Sequence, residues 1–519
     1  MFLKCGLCLG PQAEKLTSGV PVRALIAACL LSGLLFAGEP ALKISVYATA
    51  GGVNQLLATP ESRRQAAEAM RKLGVTRVVL EGRRGDEFVP PDTLRELRGQ
   101  LSALGFETSG GIATVPGKSF GVRQQGALGW LNWEAGATRQ GVEEFFRTNA
   151  AVFDELVVDD FYCTMDTSPE SEKARAGRDW GDYRRDLLTG LIRPMMVEPA
   201  RQAKAGVRLV IKFPQWYDRF HLFGYDVARM PALFDRVWVG TEVRNPRTQR
   251  MGFVQPTEGY MNYRWLAGVI GEKVEAAWFD HIECTAQNFL DQAWQSVLAG
   301  ARELVLFNLI DVMRGHPGHA LFQKALPEMQ AAARRIQGKR LQGVAFYKPP
   351  NSEPGDNRYL MDYLGMLGIP IVPVATYPSG SRAVILGVQA AHDPALLDKV
   401  KAHLKTGARI AMTASLMERV PAPAGVLRLD LRTFSEQDYR DVGEWLLPPK
   451  ELAWLNMGRR QVDELRRSLG VRLSAPTHIA YYRFGQDEAL YSFRDEDATV
   501  RVNGRTVNVP AHAMVWVGR

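Results

Sequence analysis

At 519 residues the chain has room for about three domains of roughly 100–200 residues each and is too long for a single small module. Hydrophobic residues make 46% and charged residues 23%, with 48 Gly and 29 Pro, a balance that excludes extensive disorder, collagen-like repeats and coiled coil. The net charge of +8 arises from 64 basic and 56 acidic residues dispersed along the chain without a Lys/Arg block, so no nucleic-acid partner is expected.

The run from Ala24 to Ala37 is almost wholly apolar, follows Arg23 and leads into Gly38-Glu39-Pro40. It reads as the core of a signal peptide over residues 1–38, too short for the ~20 apolar residues of a membrane span. A secreted or periplasmic protein without a stable membrane span is therefore expected. Ile26-Ala27-Ala28-Cys29 has the form of a lipoprotein box, but little apolar sequence precedes Cys29, and lipid anchoring is the lesser expectation. With the leader removed, Cys163 and Cys284 remain, as a pair or as two free thiols.

Beyond the leader, short β-rich runs alternate with helical patterns. Strands are expected at Leu42–Tyr47, Arg77–Leu80, Phe106–Thr108, Leu156–Val158, Arg208–Phe213, Val237–Val239, Val274–Trp278 and Leu304–Phe307. Thr59 as N-cap with Pro60 and Glu61 behind it announces a helix after the first strand. Trp180, Tyr183, Leu187, Leu188 and Leu191 fall at helical spacing in another. Eight such units within residues 39–340 predict an α/β fold of the (β/α)8 TIM-barrel type. No G-x-G-x-x-G follows the first strand, which argues against a doubly wound dinucleotide fold.

Residues 341–447 resume the alternation with strands at Gly343–Tyr347, Ile369–Val374 and Ala383–Leu386, predicting a smaller, cysteine-free α/β domain. Thiol chemistry is excluded there, and packing or homo-oligomer formation is the expected role. Residues 448–519 switch to alternation of period two, and Asn503-Gly504 marks a hairpin turn, predicting a small β-sandwich.

Barrel enzymes work at the carboxyl ends of their strands. There the sequence places Glu81 and Arg83 after strand two, Asp159 and Asp160 after strand four, Lys212, Trp216 and Tyr217 after strand five, and Glu242 and Arg244 after strand six. Strand seven brings Trp278, Asp280, His281 and Glu283, strand eight brings Asp311, and Tyr260 falls in a rim position. Glycoside hydrolysis needs two opposed carboxyl groups, one to protonate the leaving oxygen and one to attack or to activate water. Asp159 or Asp160 with Glu242 or Asp280 are the candidates for that pair. The remaining residues are candidate substrate contacts, the aromatic ones as flat faces for sugar rings and the arginines to keep a neighbouring carboxylate ionised. Neither a cofactor nor a metal is expected: Asp159-Asp160 lacks a calcium-loop pattern, and His316-Pro-Gly-His319 lacks the spacing of a zinc helix.

The order of parts, ending in LYSFRDEDATVRVNG, resembles the architecture of glycoside hydrolase family 42, the barrel β-galactosidases. The runs VVDDFYCT, VIKFPQWYDRFHLFGY and VWVGTEVRNP look like a bacterial glycosidase family related to that clan. The resemblance implies an amidotransferase-like middle domain that serves in trimerisation. The family's Asn-Glu pair after strand four is replaced by Asp159-Asp160, and its Glu nucleophile after strand seven by Asp280, with Glu283 three residues on. A pair on strands four and six would also suit the α-galactosidase type of barrel. The expected activity is a secreted glycoside hydrolase on a carbohydrate substrate; the alternatives are a non-catalytic carbohydrate-binding barrel and a polysaccharide lyase using Arg244, Lys212 or His281.

Overall fold

The computed structural model describes residues 41–126, 128–248, 254–434, 455 and 457–518. The expected signal peptide and the expected boundary near residue 447 lie outside them.

Eight parallel strands, β1 (Lys43–Ala48), β2 (Arg77–Arg84), β3 (Glu107–Ala113), β4 (Glu155–Val158), β5 (Arg208–Phe213), β6 (Arg236–Gly240), β7 (Val274–Asp280) and β8 (Glu303–Phe307), pair in sequence, and β8 returns to β1. The sheet is a closed TIM barrel, as the alternation predicts. Five strands, β1, β2, β3, β6 and β7, run further toward their carboxyl ends than the sequence suggests. In β3 this depends on Gly111, where a Cβ would lie 2.7 Å from the hydroxyl of Tyr47. The helix after β1, α1 (Pro60–Lys72), starts as predicted, with Thr59 accepting from the Ser62 amide at 3.1 Å.

Strand parity fills the barrel in layers. At the amino ends, buried Arg77 reaches Ser109 at 2.8 Å, Glu303 at 3.3 Å and Glu155. Above it come Tyr47, Val79, Val157, Val210, Trp238 and Val305 from six strands and both Ala276 and Trp278 from β7, an apolar plug, with Gly111 at the inward position of β3. Two further on, the same inward faces present Glu81, Asp159, Lys212 and Asp280 at the carboxyl end, all buried.

A second sheet is entirely parallel: β9 (Val344–Tyr347), β10 (Ile371–Val374), β11 (Ala383–Leu386), β12 (Arg409–Thr413) and β13 (Leu427–Leu429), in the order β10-β9-β11-β12-β13. The last two strands extend the three read from sequence. The chain closes with two three-stranded antiparallel sheets, one of β14 (Leu473–Ser474), β17 (Ala498–Val502) and β18 (Arg505–Val509), the other of β15 (Ile479–Phe484), β16 (Asp487–Ser492) and β19 (Met514–Trp516). Asn503 and Gly504 both have positive φ, 51° and 87°, the backbone of a type I′ turn between β17 and β18.

One apolar core runs from the barrel helices into the smaller sheets. Helix α2 (Glu258–Ile270), outside β6, carries Trp265, whose indole N–H donates to the Lys348 carbonyl just past β9 at 2.9 Å. Helix α3 (Ala286–Leu298), outside β7, meets the last sheets through Tyr482 on Gln295 at 2.5 Å and Tyr491 on Asp291 at 2.6 Å. Cys163 and Cys284 are both free thiols. Among the described residues no helix is long and apolar enough to cross a membrane.

Candidate active site

Lys212 is the hub of the carboxyl-end layer. Parity along β5 (Arg208, Val210, Lys212) turns it inward, and Trp278 lies beneath it with the ammonium 4.6 Å from the ring centroid. Its Nζ donates to Asp160 Oδ2 at 2.6 Å and Glu242 Oε1 at 2.8 Å and lies 3.8 Å from Asp159 Oδ1. Those two donor bonds bound a separation: Asp160 Oδ2 and Glu242 Oε1 are at most 5.4 Å apart, the 2.6 and 2.8 Å contacts laid end to end.

Asp159 faces inward by strand parity, whereas Asp160 is turned in by the chain leaving β4, its amide donating to Asp159 Oδ1 at 2.8 Å. Tyr225 donates to the Asp160 carbonyl and fixes this turn. Asp160 keeps 13% of its side-chain exposure, more than Asp159 at 3% or Glu242 at 6%. Asn262 of α2 donates to the Pro214 and Gly240 carbonyls at 3.0 and 2.8 Å, tying the loop after β5 to the end of β6.

Two arginine clamps flank the hub. Arg84 donates twice to Glu81, at 2.9 Å each, and once to Asp159 Oδ2 at 2.7 Å. Glu81 also accepts from the Tyr47 hydroxyl and the Ala50 amide, both at 2.7 Å. Arg244 holds Asp280 bidentately, Nη2 to Oδ2 at 2.6 Å and Nε to both oxygens at 3.1 Å, and the Ile282 amide adds a third donor at 3.0 Å.

The layer thus holds five carboxylates, Glu81, Asp159, Asp160, Glu242 and Asp280, against three cations, Arg84, Lys212 and Arg244. Away from water such an excess of negative charge is relieved by proton uptake. Burial accordingly pushes the Asp160 carboxyl up to about 8, with Asp159 and Glu242 adding to the push and Lys212 opposing it. Burial also raises Glu242, against Lys212 and with Asp280, and raises Glu81 against Arg84. Asp159 goes the other way: burial disfavours its charge, but Lys212 and Arg84 together outweigh it and hold it ionised. The arrangement offers one carboxyl that holds a proton near neutral pH beside another, Asp159, that is held ionised, the requirement for paired acid and base chemistry.

Several residues singled out from the sequence do not join this cluster. Arg83 points away, donating to Ser119 at 3.1–3.2 Å and lying over Phe88 and Phe120; a register shift between Glu81 and Arg83 makes Arg84 the arginine of the site. Tyr217 is buried and donates to Asp362 of the second sheet region at 2.7 Å. Tyr260 is buried on α2 against Tyr482, ring centroids 4.7 Å apart. Trp278 is the floor beneath Lys212 rather than a rim platform. His281 faces outward from the barrel, donating from Nδ1 to the Phe307 carbonyl at 3.0 Å and accepting from His319 at 2.8 Å. That tautomer follows from His319 Nδ1, which accepts the His316 amide and leaves its Nε2 as donor. Glu283 is exposed and takes the Thr248 hydroxyl at 3.2 Å. Asp311 is half-buried in the first turn of a short helix after β8, where burial raises its carboxyl. Trp216 is half-buried in an aromatic group with Trp130, Phe223 and Tyr225, beside the Asp160 turn. Sequence reading missed Tyr47, Arg84 and Tyr225; strand parity marks only Tyr47, two residues beyond Ser45.

A family model described as "Probable glycosyl hydrolase, catalytic domain" matches residues 36–330, and a second, described as the second domain of the uncharacterized protein SSO3021, matches residues 339–438. Uncharacterized protein SSO3021 of Saccharolobus solfataricus is 23% identical over 362 residues, 63% of this chain; the chain spans 59% of that relative's length. Among solved structures, the β-galactosidase of Rahnella sp. R3 aligns with a TM-score of 0.59 at 10% identity, covering 92% of this chain and 98% of that one. α-L-Fucosidase isoenzyme 2 of Paenibacillus thiaminolyticus gives 0.60 at 11% identity, covering 89% and 92%. A catalytic mutant of a family 42 β-galactosidase from G. stearothermophilus gives 0.57 at 10%, covering 91% and 97%. At such identities the likenesses concern the fold. The first family model spans more than half of the chain and takes in all eight barrel strands with the carboxylate layer at their ends, and on that match the chain belongs to the probable glycosyl hydrolase family.

Proposed function

We propose that the protein is a glycoside hydrolase that cleaves with retention of anomeric configuration, Asp160 acting as the acid and base and Glu242 as the nucleophile. The observation that carries this reading is the bridge through Lys212, which keeps the two carboxyl oxygens within 5.4 Å of each other. Retaining enzymes hold their carboxyl groups about 5–5.5 Å apart, whereas inverting enzymes leave roughly 6.5–9.5 Å for a water. Asp160 takes the acid role because burial holds its proton near neutral pH and because it is the most exposed of the three carboxylates around Lys212. Glu242, whose carboxyl is pushed up by burial and drawn back by the Lys212 ammonium bound to it, attacks the anomeric carbon in its ionised form. Asp159, ionised and clamped by Arg84, stabilises the positive charge that develops on the sugar. Asp280, held by Arg244, orients the Glu242 side of the site.

The test is turnover of an aryl-glycoside panel by the mature protein, with the anomer of the first product read by NMR. Retention is expected, with turnover falling at least a hundredfold in both Asp160→Asn and Glu242→Gln. Unchanged turnover in both variants, or an inverted first product, overturns the assignment.

Export through residues 1–38 and an amidotransferase-like, oligomer-forming middle region over 341–447 belong to the same proposal. They are supported by the apolar run at Ala24–Ala37 and by the parallel five-stranded sheet. Detection of the processed chain outside the cytoplasm and sedimentation of the purified protein test them.

A further inference from the structure

On the far side of the barrel from the carboxylate layer, the amino ends of β7 and β8 meet the second and third sheet regions around a groove of ≈ 2070 Å³. Its walls come from sequence-distant pieces, and their charge is one-sided. Nine arginines and lysines line it against one carboxylate, Glu272. Four of the nine are engaged: Arg302 with Glu272, Lys339 with Asp487, Arg483 with Glu488, and Arg264 with the Leu298 carbonyl. The other five, Arg340, Arg382, Arg409, Arg467 and Arg472, are exposed and have no carboxylate partner among the described residues.

Five like charges lining one groove without carboxylate partners repel one another and gain nothing for the fold, so their convergence on the groove calls for an anionic occupant. The volume is about twice that of the roomier small-molecule sites, which fits a length of polymer better than a single small anion. Guanidinium forks match carboxylate and tetrahedral oxyanion groups such as phosphate bidentately, and sulfate shares the tetrahedral geometry. Single-stranded nucleic acid would be held on exposed aromatic faces, and the two tyrosines of the lining, Tyr263 and Tyr481, are buried. A membrane surface would be met by a convex or flat patch rather than a groove between three sheets.

We infer that this groove is a second, non-catalytic binding site for an acidic polysaccharide, a chain bearing carboxylate or sulfate groups, with Arg340, Arg382, Arg409, Arg467 and Arg472 as its contacts. That the polyanion is a glycan rests on the glycosidase reading; that the groove binds a polyanion does not. Because it lies across the barrel from the carboxylates, the site anchors a long chain without occupying the cleavage site and raises the local concentration of cleavable bonds.

The experiment measures binding of polygalacturonate, heparin, a neutral glucan and a DNA duplex of matched charge to the full protein and to Arg382→Gln/Arg409→Gln/Arg472→Gln. Arg340→Gln/Arg467→Gln serves as an independent variant. The expected result is binding of one or both acidic glycans that weakens with added salt, no binding of the neutral glucan, and a roughly tenfold loss in the triple variant, each exposed contact contributing a factor of about two to three. Aryl-glycoside turnover should be unchanged and the thermal midpoint the same or slightly raised, since these side chains lie on the surface, away from the carboxylates, and repel one another. The inference is overturned if neither acidic glycan binds, if both variants bind as the parent does, or if the DNA duplex binds more tightly than the glycans. It is also overturned if sedimentation shows a dimer that the triple variant dissolves, which would make the groove an interface between copies. Retained glycan binding in a protein that turns over no glycoside refutes the proposed activity and leaves the polyanion site standing; turnover without binding does the reverse.

Discussion

Replacing Asp160 by Asn should leave the protein nearly inactive and, at alkaline pH, more stable than its parent. The folded protein holds the Asp160 carboxyl at about 8 against an ordinary 3.8, so between roughly pH 4 and 8 the native state keeps a proton that the unfolded chain has released. Stability on this account is full below the unfolded value and is lost as pH rises through that window, by at most about 1.4 kcal/mol per pH unit for one proton. Asparagine has the shape of the protonated acid and no such cost. The difference in unfolding free energy between variant and parent should therefore move in favour of the variant from pH 5 to pH 8, by about 3 kcal/mol against a one-proton ceiling of about 4. The figure falls below the ceiling because the carboxyl itself is already about half ionised in the folded protein at pH 8. Urea titrations at pH 5, 6.5 and 8 measure the difference, and aryl-glycoside kinetics should show a loss of about 10²–10⁴ in kcat. A stability difference that stays flat across this range, or that shifts toward the parent as pH rises, would refute the claim that the fold forces a proton onto this carboxyl.

Arg77→Met strips the guanidinium from buried Glu155 and Glu303 at the amino end of the barrel and should lower stability by about 3–5 kcal/mol, seen as an earlier urea midpoint. Arg244→Lys keeps the charge but loses the bidentate grip on Asp280; kcat/KM should fall about tenfold with little change in the unfolding midpoint, and equal activity would remove Asp280 from the orienting role. Tyr491→Phe deletes the donor to Asp291, whose carboxyl burial lifts to about 6, and should cost about 1–3 kcal/mol at pH 8 and less at pH 5, where the acid is protonated.

The barrel is legible in the sequence because the strands are short, largely apolar runs, and in three of them, β2, β4 and β5, the alternate residues repeat one order: charge, apolar plug, then charge. Arg77-Val79-Glu81 and Glu155-Val157-Asp159 show that order directly, and Lys212 follows from Val210 by the same parity. What escapes is whatever departs from period two. The register shift after Glu81 exchanges Arg83 for Arg84, and a turn rather than a strand brings in Asp160. Tyr217 and Tyr260 look like rim aromatics until the residues that cover them, Asp362 and Tyr482, are brought up from more than 140 positions along the chain. The dispersed basic residues show the same limit: their spread along the chain hides a cationic wall that only the meeting of three sheets assembles.

The contacts that hide Tyr217 also bear on how such a chain can evolve. Tyr217 directly follows Trp216 on the loop that carries the candidate aromatic platform, its hydroxyl is anchored on Asp362, and Trp265 behind it is anchored on the Lys348 carbonyl. The middle region is thus part of the scaffolding of the loop after β5, and the barrel is not a detachable cassette. A recombination that exchanged the middle region without matching Asp362 and the Lys348 backbone would leave a buried phenol and a buried indole without acceptors, at about 1–3 kcal/mol each. Lineages carrying this barrel should therefore inherit the two regions together, and substitutions at Tyr217 should be accompanied by substitutions at Asp362.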